Sequence, residues 1–421
     1  MTTESLPPRA AAHGRSLAVI LAVIVVDMLG LGIIAPVLPQ LIVELNGGSI
    51  AHAVVIAGWL ALAYATMQFV FGPIIGSLSD RFGRRPVILA ALGVYCLSYT
   101  LLGLATSLPW LVAARLVAGI TGASFSVASA YIADVSLPEK RAQNFGLVGM
   151  AFGIGFVAGP IAGGLLGQID TRLPFFVAAG FASLNLLLAL CILRESLPSD
   201  RRRPFSLRMA NTLAALRSLA GQSRSAIWYA AALTAWSVAQ IALPVIFPFY
   251  AMTRFGWTPG HIGFALGGVG LGTAVVQGLL IRPVIAAVGE ARATTLGVTS
   301  FIAASALYAT GGSVTWVYAA IAVGVLSGLV LPSISGLLSR AVDPGRQGEL
   351  QGAVAGLNAL ALVIGPPIYT YVFAAFTRTR AHAYVPGAPF LVAAGFALSA
   401  IAFLYVGRVA VQGARTIECA E

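Results

Sequence analysis

Twelve long apolar runs decide what this chain of 421 residues can fold into. Six lie in the first half: Ser16–Val43, Val54–Ile75, Pro86–Ala105, Leu108–Ala133, Phe145–Leu166 and Phe175–Leu193. Six lie in the second: Ala226–Phe249, Ile262–Ile281, Ala293–Thr310, Thr315–Leu338, Leu350–Phe376 and Phe390–Val406. Such runs match the ~20 helical residues that cross a hydrocarbon core. Backbone polar groups in lipid must pair within their own segment, so uninterrupted runs of this kind are helices. A transmembrane barrel would show ~10-residue alternating segments instead, and the sequence has none. Only 9% of residues are charged, against roughly 25% in a soluble domain. The expected fold is an all-α membrane protein of twelve spans, and the even count places both termini on one side.

Charge orients it. The net charge of +11 would suit nucleic acid only if gathered in one patch, and it is spread over alternate loops. Arg9 and Arg15 precede the first span; Arg81, Arg84, Arg85, Lys140 and Arg141 fill the next loops on that side; seven arginines lie in Arg194–Arg224. Arg172, Arg254, Arg378 and Arg380 occupy opposite loops, and Arg115 sits within a span. Positive residues stay inside, so both termini are expected in the cytoplasm of a bacterial inner-membrane protein, with nucleic-acid binding excluded. The first span is too long for a signal-peptide core and reads as an uncleaved helix. Cys96, Cys191 and Cys419 stand alone, with neither metal-site nor disulfide spacing.

Residues 1–193 and 226–421 hold six spans each, joined by a polar linker, 194–225, with a short amphipathic stretch Leu207–Leu219. Two pseudo-equivalent halves and a linker are the sign of a repeat-built secondary transporter. Gly159-Pro160 in the fifth span and Gly365-Pro366 in the eleventh echo each other. So, loosely, do the loop Gly76–Arg85 and a later one holding Arg282, Gly289, Glu290 and Arg292.

Three motifs carry chemistry. In the loop Gly76-x-x-x-Asp80-Arg81-x-Gly83-Arg84-Arg85, Gly76 is expected to let helix ends approach and Asp80 to cap a helix start. Its arginines would bridge helix ends, with Asp134 as partner, in a latch that breaks when the halves rock. Arg115, in Leu111-x-x-x-Arg115-x-x-x-Gly119-x-x-Gly122, is an intramembrane charge and hence a functional candidate, with snorkelling towards the Pro109 end as its plain alternative. Gly155-x-x-x-Gly159-Pro160-x-x-Gly163-Gly164 offers a flat face and a bend, which suits both tight packing and a hinge.

These motifs resemble those of the major facilitator superfamily, and the fifth-span motif resembles that of its drug/proton antiporters. Asp27–Pro39, Ser79–Pro86, Arg115 with Ile132-Ala133-Asp134, Arg254–Trp257 and Gln347–Gly352 together look like the tetracycline/proton antiporters. The resemblance implies proton coupling through Asp27, a substrate path near Tyr64, Gln68 and Gln277, and a substrate bound as a divalent-metal chelate. The family's eighth-span histidine falls on Thr273 and its ninth-span aspartate on Phe301, which leaves Asp27 as the carboxylate well inside a span. His13, His52, His261 and His382 lie in tails, loops or span ends. Asp27 is thus the expected proton carrier with Arg115 as modulator; simple hydrogen bonding of Asp27 in a polar core is the alternative.

Trp228, Trp236, Phe247, Tyr250, Tyr369 and Tyr371, with the amides Gln240 and Asn358, suit an amphipathic, partly aromatic substrate. The expected activity is proton-driven export of a tetracycline-like molecule by alternating access, from a monomer needing no cofactor. A broader drug or metabolite exporter, or a uniporter without proton coupling, are the rivals. An enzyme is disfavoured, since the sequence has no phosphate-binding Gly-x-x-x-x-Gly-Lys loop and no His/Cys metal cluster.

Overall fold

A computed structural model describes residues 8–122, 124–136, 140–205, 223–343, 346–378 and 384–418. They form helices and no strand. The first half contains α1 (Pro8–Ile34), α2 (Leu38–Leu45), α3 (Ile50–Phe82), α4 (Arg84–Gly103), α5 (Leu108–Thr121), α6 (Ser124–Val135), α7 (Arg141–Ile169) and α8 (Leu173–Ile192). The second contains α9 (Arg224–Phe255), α10 (Pro259–Val275), α11 (Ile281–Val288), α12 (Glu290–Thr310), α13 (Val314–Gly324), α14 (Val330–Arg340), α15 (Gln347–Thr377) and α16 (Ala388–Glu418). The stretch Leu207–Leu219 lies outside the described residues.

Ten spans are single or nearly continuous rods, long and apolar enough to cross a membrane. One of the other two is broken: the first span bends by 42° between Ile34 and Leu38, where Pro36 has no amide hydrogen to continue the ladder. The fourth is α5 followed by α6, and Ala123 between them lies outside the described residues. The eighth carries a π-turn, Val276–Leu280, between α10 and α11, and the tenth a 3-10 turn, Val325–Leu329, between α13 and α14. Hydropathy marks the spans and is blind to such bends and turns.

At the end of the bundle that bears the linker, the signature loop is stitched into the first half. Arg84 pairs with Asp80 at 2.7 Å and with Asp134 at 3.3 Å, as expected for Asp134. Asp80 does not cap a helix start, because α3 runs on through it to Phe82. The cap on α4 is Glu195 from the linker, whose two carboxylate oxygens accept from the backbone amides of Arg84 and Arg85 at 2.8 and 3.3 Å. Gly83, at φ 103°, leaves room for that carboxylate; a helix start favours negative charge there. Arg85 donates to the carbonyls of Leu193 and Leu190 at the end of α8, and Arg81 lies over the ring of Phe82. A side chain at Gly76 would meet nothing within 4 Å among the described residues, so close approach is not its role in this conformation. Among the described residues every ion pair of this loop stays within the first half, bracing α3, α4 and α6.

The cores show where the halves meet. One apolar cluster joins both halves at the end remote from the linker, running from Leu41, Val54 and Leu102 to Phe247, Ile262 and Phe373. At the linker end there are two, one within each half: Ile20 to Leu193, and Ala226 to Leu404. Two seams make the join. Helix α7 packs on α10, where Cβ atoms at Gly164 and Gly263 would each lie about 3 Å from the other's Cα. Helix α3 packs on α15, with Gly58 against Thr370. Gln168 donates to Thr258 across the first seam at 3.4 Å. Among the described residues, the core shared by the halves lies at the far end, and at the linker end each half keeps its own.

Candidate substrate and proton site

A cavity of about 170 Å³ lies between the halves. From the first half it is lined by Leu38, Ala57, Leu60, Ala61, Tyr64, Ala65 and Arg115, and from the second by Val245, Leu362 and Pro366. The α3 residues recur at helical spacing, one stripe ending near Tyr64, and the small ones leave the space open. Leu38 enters because the first span breaks just before it. Arg115 supplies the charge. Its guanidinium makes no hydrogen bond or ion pair with any described residue.

Asp27 lies near this cavity without lining it. It is half-buried on α1 and has no hydrogen-bond or ion-pair partner among the described residues, so the simple hydrogen-bonded alternative is not what this conformation holds. Between the two charges stand tyrosines: both Asp27 and Arg115 act electrostatically on Tyr64 and on Tyr99. Tyr64 shares a hydrogen bond with Tyr95, and the Tyr95 and Tyr99 rings stack at 5.9 Å. The Tyr99 hydroxyl is buried over Gly30, without a hydrogen-bond partner among the described residues. Tyr95 and Tyr99 were not singled out by sequence; their i, i+4 spacing on a polar stripe of α4 was the available signal.

The remaining candidates disperse. Gln68 donates to the carbonyl of Gly122 at 2.9 Å, satisfying the backbone just past the end of α5. The Asn358 carbonyl oxygen accepts from the Ser237 hydroxyl at 2.6 Å, tying α15 to α9. Thr273 turns its methyl towards Gly328, while Gln240 and Gln277 are exposed away from the cavity lining, the latter in the π-turn. Of the six residues expected to line the substrate path, Tyr64 alone lines the cavity. Phe301 packs edge-on against Trp236.

The glycine motif of α7 has two faces. Gly155, Gly159 and Gly163 lie against the backbone of α1 from Met28 to Ile33; a Cβ at Gly159 would come within 2.7 Å of the Gly32 Cα. The opposite face, the Pro160 carbonyl with Gly164 and Gly167, meets α10 at Pro259, Gly260 and Gly263. The small-residue row Gly260, Gly263, Gly267 and Gly270 was legible as a packing face and went unread. Gly365, by contrast, faces the side chain of Ile241 within its own half, and Pro366 lines the cavity. Asp27 is thereby linked to the second half through α1, α7 and α10 in turn.

The sequence model of the Major Facilitator Superfamily matches residues 20–366. The class C tetracycline resistance protein of Escherichia coli is 38% identical over 86% of this chain and 91% of its own length. Multidrug resistance protein 2 of Bacillus subtilis is 28% identical over 85% and 91%. Among solved structures, an inward-facing, unoccupied bacterial homologue of the human lysosomal transporter Spinster superposes with a TM-score of 0.72 at 16% identity, covering 96% of this chain and 98% of that one.

Proposed function

The chain belongs to the major facilitator superfamily, and from that premise we propose that it exports an amphipathic, tetracycline-like drug in exchange for protons. It is a multi-pass secondary transporter and not an enzyme. The observation that carries the finer reading is Asp27: an unpaired carboxyl inside a span, on a helix clamped by glycines to the helix that forms a seam with the other half. Intramembrane ionisable groups are kept for function because they are costly. Taking up or losing a proton at Asp27 changes the charge held on α1. Helix α7, gripped backbone to backbone, passes a shift of α1 to α10 without slack. The halves then rock about their seams, alternately opening the linker end and the far end.

By the placement of its arginines, the linker end faces the cytoplasm of a bacterial inner membrane, so this structure is the conformation that loads from inside. The monomer holds both seams and the cavity. The likeness to a multidrug resistance protein supports a second reading, a broader exporter of lipophilic drugs, in which tetracycline is one cargo or none.

Proton movement in inverted membrane vesicles tests both. Addition of tetracycline to an energised preparation should release protons, and Asp27→Asn should abolish the signal while leaving tetracycline exchange. A response only to unrelated lipophilic drugs would transfer the conclusion to the second reading. Substrate flux with no proton movement from any compound would leave a uniporter.

A further inference from the structure

The one charged group in the cavity lining is positive. Arg115 lies in a lining otherwise made of Leu, Ala, Tyr, Val and Pro, with no Asp, Glu or His among the lining residues. No described residue offers its guanidinium a hydrogen bond or an ion pair, and Asp27, which acts on the same two tyrosines, is not bonded to it. An intramembrane guanidinium with no partner from its own chain is costly, so the cavity suits a counter-charge from outside the chain. A cationic complex would meet repulsion at this cavity. No group of three or more His, Cys, Asp or Glu among the described residues gathers to meet a metal, and Thr273 and Phe301 are engaged in packing against Gly328 and Trp236.

The shape agrees with the charge. A planar guanidinium binds a carboxylate or enolate with two parallel hydrogen bonds. The walls beside it, Leu60, Val245 and Leu362, suit a hydrocarbon ring, and the Tyr64 side chain offers it a phenol edge. Pockets that enclose a whole drug-sized ligand run to about 300–1,000 Å³. The 170 Å³ here holds one ring with its acid group. The rest of such a molecule would extend between the halves towards the linker end, where their cores part. We propose that this cavity takes the anionic group of an amphipathic organic acid, paired with Arg115 and carried without a divalent metal.

This rests on reading the space between the halves as the transport path, and it names the charge of the cargo there. The test is calorimetric binding to the full chain in lipid nanodiscs, using 1-naphthoate against its neutral amide, and tetracycline in EDTA against tetracycline with Mg²⁺. The acid should bind about tenfold or more tightly than the amide, the scale of a charge-assisted pair, and EDTA should not weaken tetracycline. Arg115→Gln should erase the acid preference and Arg115→Lys should keep part of it. Equal binding of acid and amide, no measurable binding of the acid, or a tenfold gain for tetracycline with Mg²⁺ would each overturn the proposal. The acid-to-amide ratio needs no variant, so a misfolded Arg115→Gln leaves the test intact. Acid preference without tetracycline-driven proton movement discards the proton-coupled tetracycline reading alone; proton movement without acid preference discards this one alone.

Discussion

Gly83 and Gly289 occupy the same corner of the two halves, each at positive φ immediately before a helix. What leans on each corner is opposite in sign. In the first half Arg84 opens α4 and pairs with Asp134 at the end of the fourth span. In the second, at the same interval along the chain, Glu290 opens α12 and pairs with Arg340 at the end of the tenth. The same interval takes Gly159-Pro160 to Gly365-Pro366, and it takes Asp27, Tyr64, Tyr99 and Arg115 to Leu233, Gly270, Ser305 and Ile321. The frame is duplicated and the charge is not: the latch is inverted and the ionisable centre has no counterpart. Asp27 and Arg115 thus stand in one half, and the matching positions of the other are apolar or small. The seams differ likewise. Helix α7 meets α10 through glycine faces, while α3 and α15, their counterparts, enclose the cavity.

Breaking the comparison at its centre should have the largest effect. Asp27→Asn is expected to drop drug accumulation ratios to equilibrium, whereas Ser305→Ala, at the position matching Tyr99, should leave them unchanged; counterflow and proton assays on both variants decide. Next comes the glycine pair. Gly159→Ala drives a methyl into the Gly32 backbone and should cost ~1–3 kcal/mol, the range for overpacking, read as a lowered midpoint of thermal unfolding in detergent. At Gly365 the neighbour is a side chain at 3.1 Å, so Gly365→Ala should shift the midpoint by less than half as much. The two latches come third. The Arg84 side chain is 12% exposed and that of Arg340 is 68% exposed. Removing the screened partner should matter little, under ~1 kcal/mol, so Arg84→Ala should reduce transport more than Arg340→Ala. Equal losses would mean that the inverted pair is as structural as the first. The smallest effect is expected from reversing the second pair, Glu290→Arg with Arg340→Glu, which should restore near-native transport where Glu290→Arg alone does not.

The helical spans were legible because hydropathy is a local property, and Asp27 stands out in the sequence for the same reason, as a charge inside an apolar run. The Pro36 break was marked in the sequence, but a sum of hydropathy over a window cannot register a bend. Asp80 misled because a carboxylate beside a turn reads as a cap, and nothing nearby says that α3 continues through it. Glu195, the true cap, lies more than a hundred residues from the amides it satisfies and only the closed bundle brings it there. Gln68 was expected from the resemblance and Asn358 as a mid-span amide; such an amide has the same sequence signal whether it meets substrate, a backbone carbonyl as Gln68 does or a hydroxyl as Asn358 does. Arg340 escaped notice because its likeness to Asp134 is one of place with the sign reversed, and a search for similar residues passes over it.

The apolar cluster shared at the far end gives the alternation a thermal signature. Opening that end puts surface such as that of Val54 and Phe373 in contact with water, and exposed apolar area raises heat capacity by about 0.45 cal/K/mol per Å². The free-energy gap between the two conformations therefore curves with temperature instead of following a straight line. Hydrophobic contact weakens on cooling, so chilling favours whichever conformation buries less apolar surface.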